Sequence, residues 1–226
     1  MKVISLGGSL VAPDAVDAAY LKDFRLLVRE YLAEDSARAL ILVIGGGGPA
    51  RAYQGAYRQI ADNPENDAQD WIGIAATRLN GELVRGIFAG ECRDPLVIDP
   101  QDAAFTGRIL VAAGWKPGFS SDYDAVFLAE KFGADTVINL SNISKVYTAD
   151  PKKDPAAKPL DRLRWEEFRG IVGDEWTPGK NAPFDPVAAR KAAELNMKVI
   201  VAAGKDLANL KKILTDKPFT GTTIFG

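Results

Sequence analysis

Ala39-Leu40-Ile41-Leu42-Val43-Ile44-Gly45-Gly46-Gly47-Gly48-Pro49 is the stretch on which the fold turns. An unbroken apolar run of this kind suits a strand buried on both faces, as in a parallel sheet. The glycines then turn the chain sharply, and proline is well tolerated in the first turn of a helix. The expected unit is therefore strand, glycine turn, helix, with the helix beginning at Pro49.

The same alternation extends in both directions. Upstream, a strand is expected over 3–6 and a helix over about 14–34, where Leu21, Phe24, Leu27, Val28, Tyr31 and Leu32 share one face. Downstream, strands are expected at 96–98, 109–112, 136–140, 198–201 and 222–225. Helices are expected at about 70–88, 122–132, 165–172, 186–196 and 206–214. Strands alternating with amphipathic helices argue for βαβ units and right-handed crossovers. The segment 150–159 reads as a surface loop within one continuous sheet. The expected architecture is a single domain over 1–226.

Composition narrows the function. The chain of 226 residues carries a formal net charge of −2, so no basic face for nucleic acid or an anionic membrane is expected. No apolar run approaches the roughly 20 residues of a membrane helix. The segment 1–6 lacks a signal-peptide layout. Cys92 is the one cysteine, which excludes an internal disulfide and fits a reducing, cytoplasmic setting. There is no histidine, which removes Ser-His-Asp and Cys-His catalysis and histidine zinc sites. Phosphoryl transfer needs no histidine, because it rests mainly on positioning and charge stabilisation.

A second glycine turn, Leu6-Gly7-Gly8-Ser9-Leu10, follows the first strand. Glycine lets a ligand approach the main chain, and a helix starting after such a turn offers free N–H groups to an anion. Tight turns alone explain the first pair equally well. Four consecutive glycines at 45–48 are read as phosphate-binding, because each loses extra backbone entropy on folding. No Gly-Lys-Ser/Thr follows, so this is not a P-loop. Gly45-x-Gly47-x-x-Ala50 matches a loose dinucleotide fingerprint but leaves the first turn and the Asp150 region unexplained.

Several strings occur in order along the chain: Gly7-Gly8-Ser9; Gly45-Gly46-Gly47 with Ala50-Arg51; Asp70-Trp71-Ile72-Gly73 through Thr77-Arg78-Leu79-Asn80; Pro117-Gly118-Phe119-Ser120-Ser121-Asp122; Ser141-Asn142; Val146-Tyr147-Thr148-Ala149-Asp150-Pro151-Lys152-Lys153; Asp185-Pro186-Val187-Ala188-Ala189-Arg190; and Gly221-Thr222-Thr223-Ile224. This ordered set resembles the amino acid kinase superfamily and, within it, the archaeal-type uridylate (UMP) kinases. The resemblance implies a three-layer αβα sandwich with a mainly parallel sheet. It implies transfer of a phosphoryl group from ATP, with Mg²⁺, to UMP, and a hexameric homo-oligomer.

The resemblance also implies residue roles. Gly8 and Ser9 stand beside the exchanged phosphates. Gly46 faces UMP, while Gly47 and Arg51 face ATP. Asp70 accepts hydrogen bonds from the UMP ribose, with Gly73 and Thr77 on the same side. Trp115, Lys116, Pro117, Gly118, Phe119, Ser120 and Ser121 wrap the UMP phosphate and base. Ser141, Asn142, Tyr147 and Asp150 form the ATP nucleoside pocket. Asp122 or Asp150 is a candidate aid to Mg²⁺, though no protein metal site as such is expected. Asp70 also reads as an early helical residue favoured by the helix dipole, and Ser120-Ser121-Asp122 as a capping cluster.

The sequence departs from the family pattern at three places. Ser5 occupies a position where many relatives have a lysine, although some archaeal-type members also lack it. Gly48 stands where a lysine often follows the second glycine run. Ser144-Lys145 replaces Asp-Gly. Phosphoryl transfer needs positive charge besides Mg²⁺, so the candidates are Arg51, Lys116, Lys145 and Lys180, with Ser9, Arg51 and Lys116 as the expected catalytic set. The departures keep open a kinase-like protein that binds nucleotides or anions with little turnover. Another small-molecule kinase of the superfamily, or a dinucleotide-dependent oxidoreductase, are further alternatives.

Overall fold

The computed structural model describes residues 1–151, 153–173 and 182–226. Lys152, within the Asp150 motif, and Lys180, a candidate phosphoryl-stabilising cation, lie outside the described residues.

The chain begins with β1 (Lys2–Leu6), the single turn α1 (Gly8–Val11) and α2 (Ala18–Ala33). Next come β2 (Leu40–Ile44), α3 (Gly47–Ile60), α4 (Asn66–Ile87), β3 (Ile109–Ala112) and α5 (Ser121–Phe132). They are followed by β4 (Thr136–Ser141), β5 (Val146–Tyr147), β6 (Pro159–Leu160), β7 (Arg162–Arg164) and α6 (Trp165–Val172). The chain closes with α7 (Pro186–Glu194), β8 (Lys198–Ala203), α8 (Leu207–Leu214) and β9 (Thr222–Phe225).

Among the described residues the main sheet has seven strands in the order β3-β2-β1-β4-β8-β9-β7. From β3 to β8 every pairing is parallel; β9 turns antiparallel to β8, and β7 runs parallel to β9. The sheet is mainly parallel with helices on both faces, as expected.

Strand alternation sorts the core into two halves. Ile4, Leu6, Leu42, Ile44, Val111 and Ile138 point to one face and pack on α2, α8 and the end of α4. Val3, Ile41, Val43, Val137, Val199 and Val201 point to the other and pack on α5, α6 and α7. Each such buried aliphatic chain contributes about 1.5–3 kcal/mol. This is why β2 reads as a continuous apolar run: both of its faces are covered.

Several expectations change, among them the helix expected from Pro49, which starts at Gly47. The strand expected at 96–98 is only one bridge, Val97 to Ala112; Pro95 and Pro100 flank it and cannot donate to a ladder. The helix expected from 70 starts at Asn66, because its first turn is polar and lacks the apolar period that marks a helix. The helix expected from 14 starts at Ala18, capped by the Asp17 carboxylate, which accepts from Tyr20 N. The edge strand β7 was not anticipated: its Arg-Leu-Arg sequence buries only Leu163, and both arginines stack on the Phe225 ring at 4.6 and 5.9 Å. The 150–159 loop is bracketed by β5 and β6, which pair with each other outside the main sheet.

Candidate active site

The two glycine turns leave the carboxyl ends of neighbouring strands and press against each other. A β-carbon on Gly8 would stand 2.1 Å from the Gly47 nitrogen. One on Gly47, whose φ is 66°, would stand 2.3 Å from the Gly8 carbonyl oxygen. No side chain fits at this crossing, so backbone packing by itself demands these glycines. Gly48 has a similar cause, with Pro13 O 2.1 Å from its would-be β-carbon. A lysine at 48 would require the 13–14 segment to move. Gly46 is the member of the run that lines a cavity.

That cavity, about 190 Å³ in volume, lies between α3, α4 and the loop before α5. Of the residues assigned to the acceptor, Gly46, Asp70, Gly73, Thr77, Gly118, Phe119, Ser120 and Ser121 line it. The walls are tied by hydrogen bonds. Buried Asn80 donates through Nδ2 to the carbonyls of Gly45 at 2.9 Å and Gly46 at 3.1 Å, fixing the glycine turn. Thr77 Oγ1 accepts from Gly114 N at 2.8 Å and donates to Ile74 O at 2.6 Å. Arg78 Nη2 donates to Trp115 O at 2.9 Å. Asp70 Oδ2 accepts from Gly118 N at 3.0 Å. Asp70 is beyond the first turn of α4, so the dipole no longer accounts for it.

Three assigned residues are not in the lining. Trp115 is buried behind the loop, and its N–H donates to Asp124 Oδ2 at 3.2 Å. Lys116 is exposed and lies over the Trp115 ring at 4.0 Å and the Phe119 ring at 5.2 Å. Pro117 is half-buried.

A carboxylate network underlies the cavity. Asp122 accepts from Ser5 Oγ at 2.9 Å and from Asp185 N at 3.2 Å. Asp185 caps α7, accepting from Ala188 N at 2.8 Å, and its carboxyl also takes a hydrogen bond from Ser120. Burial pushes the Asp122 carboxyl up to about 6 and that of Asp124 up to about 7. Burial raises Asp185 as well. Asp185 lines the cavity, as do Ala50, Gln54, Ile74 and Gly114, none of which had been assigned a role. Asp185-Pro186 was legible as a helix start, but its position at the cavity depends on β4, α5 and α7 meeting; Gln54 carries no sequence signal.

The donor-side residues follow β1, β2 and β4. Ser9 is half-buried in α1 and Gly47 opens α3. Ser141 ends β4, and its carbonyl accepts from Gly204 N at 2.8 Å. Asn142 is exposed, Tyr147 pairs with Pro159 across β5 and β6, and the Asp150 carbonyl accepts from Lys153 N and Asp154 N, each at 2.9 Å. With β1 between β2 and β4, the cavity lies on the β2 side of the first glycine turn, whereas Ser141, Asn142, Tyr147 and Asp150 follow β4 on its other side.

The amino acid kinase family model matches residues 1–203. The chain belongs to the amino acid kinase family. Within it, the chain is 35% identical to a uridylate kinase of Methanospirillum hungatei, covering 98% of this chain and 93% of that one. It is also 35% identical to a uridylate kinase of Thermoplasma volcanium, covering 98% and 96%. The solved uridylate kinase of Archaeoglobus fulgidus superposes with a TM-score of 0.84 at 30% identity, covering 99% of both chains. A UMP kinase of Bacillus anthracis, at 18% identity and a TM-score of 0.78, shares the fold.

In this amino acid kinase the expected cations are partly engaged elsewhere. Arg51 is exposed and donates through Nη2 to Pro13 O at 3.0 Å. Lys145 is ion-paired with Asp161. Ser5, in the place of a lysine, is 2% exposed and is bonded to Asp122. Among the described residues no group of three His, Cys, Asp or Glu could hold a metal. Asp122 makes a poor Mg²⁺ ligand, since both of its oxygens accept hydrogen bonds and burial disfavours its charged form. A Mg²⁺ that arrives on substrate phosphates keeps several waters and needs few protein carboxylates.

Proposed function

We propose that this protein is a UMP kinase, transferring the γ-phosphoryl group of ATP to UMP to give UDP. The observation that carries the reading is the cavity itself: residues from the second glycine turn, α4 and the loop before α5, far apart in sequence, form one walled pocket. Asp70 accepts from the ribose hydroxyls. Ser120 and Ser121, at the N-terminus of α5, receive the phosphate together with free backbone N–H groups. ATP lies on the other side of Gly8 and Ser9, against Gly47, Ser141, Asn142, Tyr147 and Asp150. Mg²⁺ bound with ATP supplies charge neutralisation. Arg51 and Lys116, both on exposed segments, supply the remaining positive charge by turning toward the transferring group.

The test is direct. Purified protein with MgATP should form UDP from UMP, and do so faster than it phosphorylates CMP or AMP. Nucleotide binding without any ADP release would instead support a low-turnover nucleotide-binding protein. The bonds from Ser5 to Asp122 and from Lys145 to Asp161 are the observations in favour of that second reading.

The assembly we propose is a homo-oligomer, with a hexamer expected from the family resemblance. Tyr53 at 72%, Leu79 at 70% and Ile60 at 82% exposure on α3 and α4 supply apolar surface for self-association. Light scattering should give a mass well above the monomer. The cytoplasm is the proposed compartment; no described helix is long and apolar enough to cross a membrane.

A further inference from the structure

The loop 114–120 leads from β3 to α5 and forms one wall of the cavity. Both of its ends are fastened. At the start, Gly114 N donates to Thr77 Oγ1, Trp115 N to Asp124 Oδ2, and Arg78 Nη2 to Trp115 O. At the end, Ser120 Oγ caps α5, accepting from Tyr123 N at 3.3 Å. Between them Phe119 packs on Trp115 and on Tyr123 of α5, at ring distances of 4.9 and 4.7 Å. Lys116 and Gly118 are exposed, and a β-carbon on Gly118 would meet nothing within 4 Å. The φ of Gly118 is 83°, a conformation that favours glycine. Across the cavity the tip is held to α4 by the hydrogen bond from Gly118 N to Asp70 Oδ2.

We infer that Asp70 is a positioning residue for this loop as well as a ligand for the nucleotide: one carboxylate straps the loop tip through Gly118 and offers its remaining lone pairs to the ribose. The ribose half of this inference rests on the UMP reading above. A carboxylate has two oxygens and about four acceptor sites, so the two uses are compatible. They are also coupled. The strapped loop presents Phe119, Ser120 and Ser121 to the cavity. A nucleotide bound there stabilises the strap, and the strap tightens the nucleotide by the same factor.

Amide hydrogen exchange across 116–120 tests the strap without nucleotide. Asp70→Ala should speed exchange at Gly118 by about tenfold, the scale of losing one hydrogen bond to a charged acceptor. Asp70→Asn keeps an acceptor carbonyl and should retain most of the protection. Gly118→Ala disfavours the left-handed backbone, should loosen the same amides, and serves if Asp70→Ala folds poorly. The double variant should be no looser than either single one, because both changes break one bond. Unchanged exchange in Asp70→Ala and Gly118→Ala, or equal loosening in Asp70→Asn and Asp70→Ala, would overturn the strap. UMP should then slow exchange of these amides in the unmodified protein at least about fivefold more than in Asp70→Asn, a typical size for coupling between two sites. Equal slowing in both would overturn the shared-carboxylate inference. A protein that binds no UMP overturns the acceptor reading, while the nucleotide-free exchange still decides the strap.

Discussion

The cavity we assign to UMP and the surface we assign to ATP are built differently. On the acceptor side each segment is fastened by hydrogen bonds: Asn80 holds the glycine turn, Thr77 and Arg78 hold the loop start, and Asp70 holds its tip. Among the residues we assign to ATP, Asn142 and Asp150 are exposed, and the short strands β5 and β6 on either side of Asp150 pair with each other outside the main sheet. The cavity is walled and its segments are tied to one another, while the surface we assign to ATP is more exposed. The difference teaches that the cavity we assign to UMP has its walls fixed by hydrogen bonds, which suits a substrate whose misplacement by about 1 Å can cost a hundredfold in rate.

The contrast predicts which changes damage both sides and which damage one. The largest effect is expected at the crossing of the turns, on which both sides depend. Gly47→Ala adds a carbon 2.3 Å from the Gly8 carbonyl at a φ of 66°. Overpacking plus left-handed strain should cost about 3 kcal/mol or more, seen as a lower urea midpoint, with both substrates bound less well. A variant of ordinary stability would refute the crossing as the reason for glycine there.

Asn80→Ala comes next and should separate the two sides. It leaves the Gly45 and Gly46 carbonyls short of a donor inside the protein, at a cost of about 1–3 kcal/mol. Steady-state kinetics should show KM for UMP rising severalfold more than KM for ATP; equal rises would break the comparison.

The carboxylates beneath the acceptor pocket set a pH dependence. Burial raises Asp122 to about 6 and Asp124 to about 7, so the folded protein holds these protons over a range in which the unfolded chain has released them. The contribution of this pair to stability is therefore greatest below about pH 4 and is lost as pH rises toward 7. Asp122→Asn or Asp124→Asn should gain about 2–3 kcal/mol on the unmodified protein between pH 4 and pH 7, read from urea midpoints across that range. A gap that does not change with pH would contradict the assigned burial effect.

The smallest change in stability is expected on the donor side. Asn142→Ala alters an exposed residue and should shift stability by less than about 0.5 kcal/mol. It should still raise KM for ATP severalfold and leave KM for UMP unaltered. A matching rise for UMP would mean that the two sides are not separate.

Periodicity and turn chemistry were enough to read β1, β2, β3, β4, β8, β9 and most helices, because strands covered on both faces and helices with one apolar face leave their period in the sequence. The order of motifs was enough to read the family, and most of the residues it assigned to UMP line one cavity. Three kinds of information were absent from the chain as text. Short edge strands such as β7 bury too few residues to show a period. The polar first turn of α4 has no apolar face to betray it. The meeting of distant segments was hidden as well: Gly8 against Gly47, Asp70 against Gly118, Ser5 against Asp122, and Asp185 at the cavity. The sequence by itself determined that glycines turn the chain at two strand ends and that a parallel sheet carries them, since both follow from local backbone freedom and burial. Tertiary structure alone decided that those turns lie in contact, and that Asp70 faces the amide of a loop 48 residues away. The physical reason is that both contacts join segments far apart in the chain through at least one backbone group, whose atoms are the same in every residue and so leave no mark in the order of side chains.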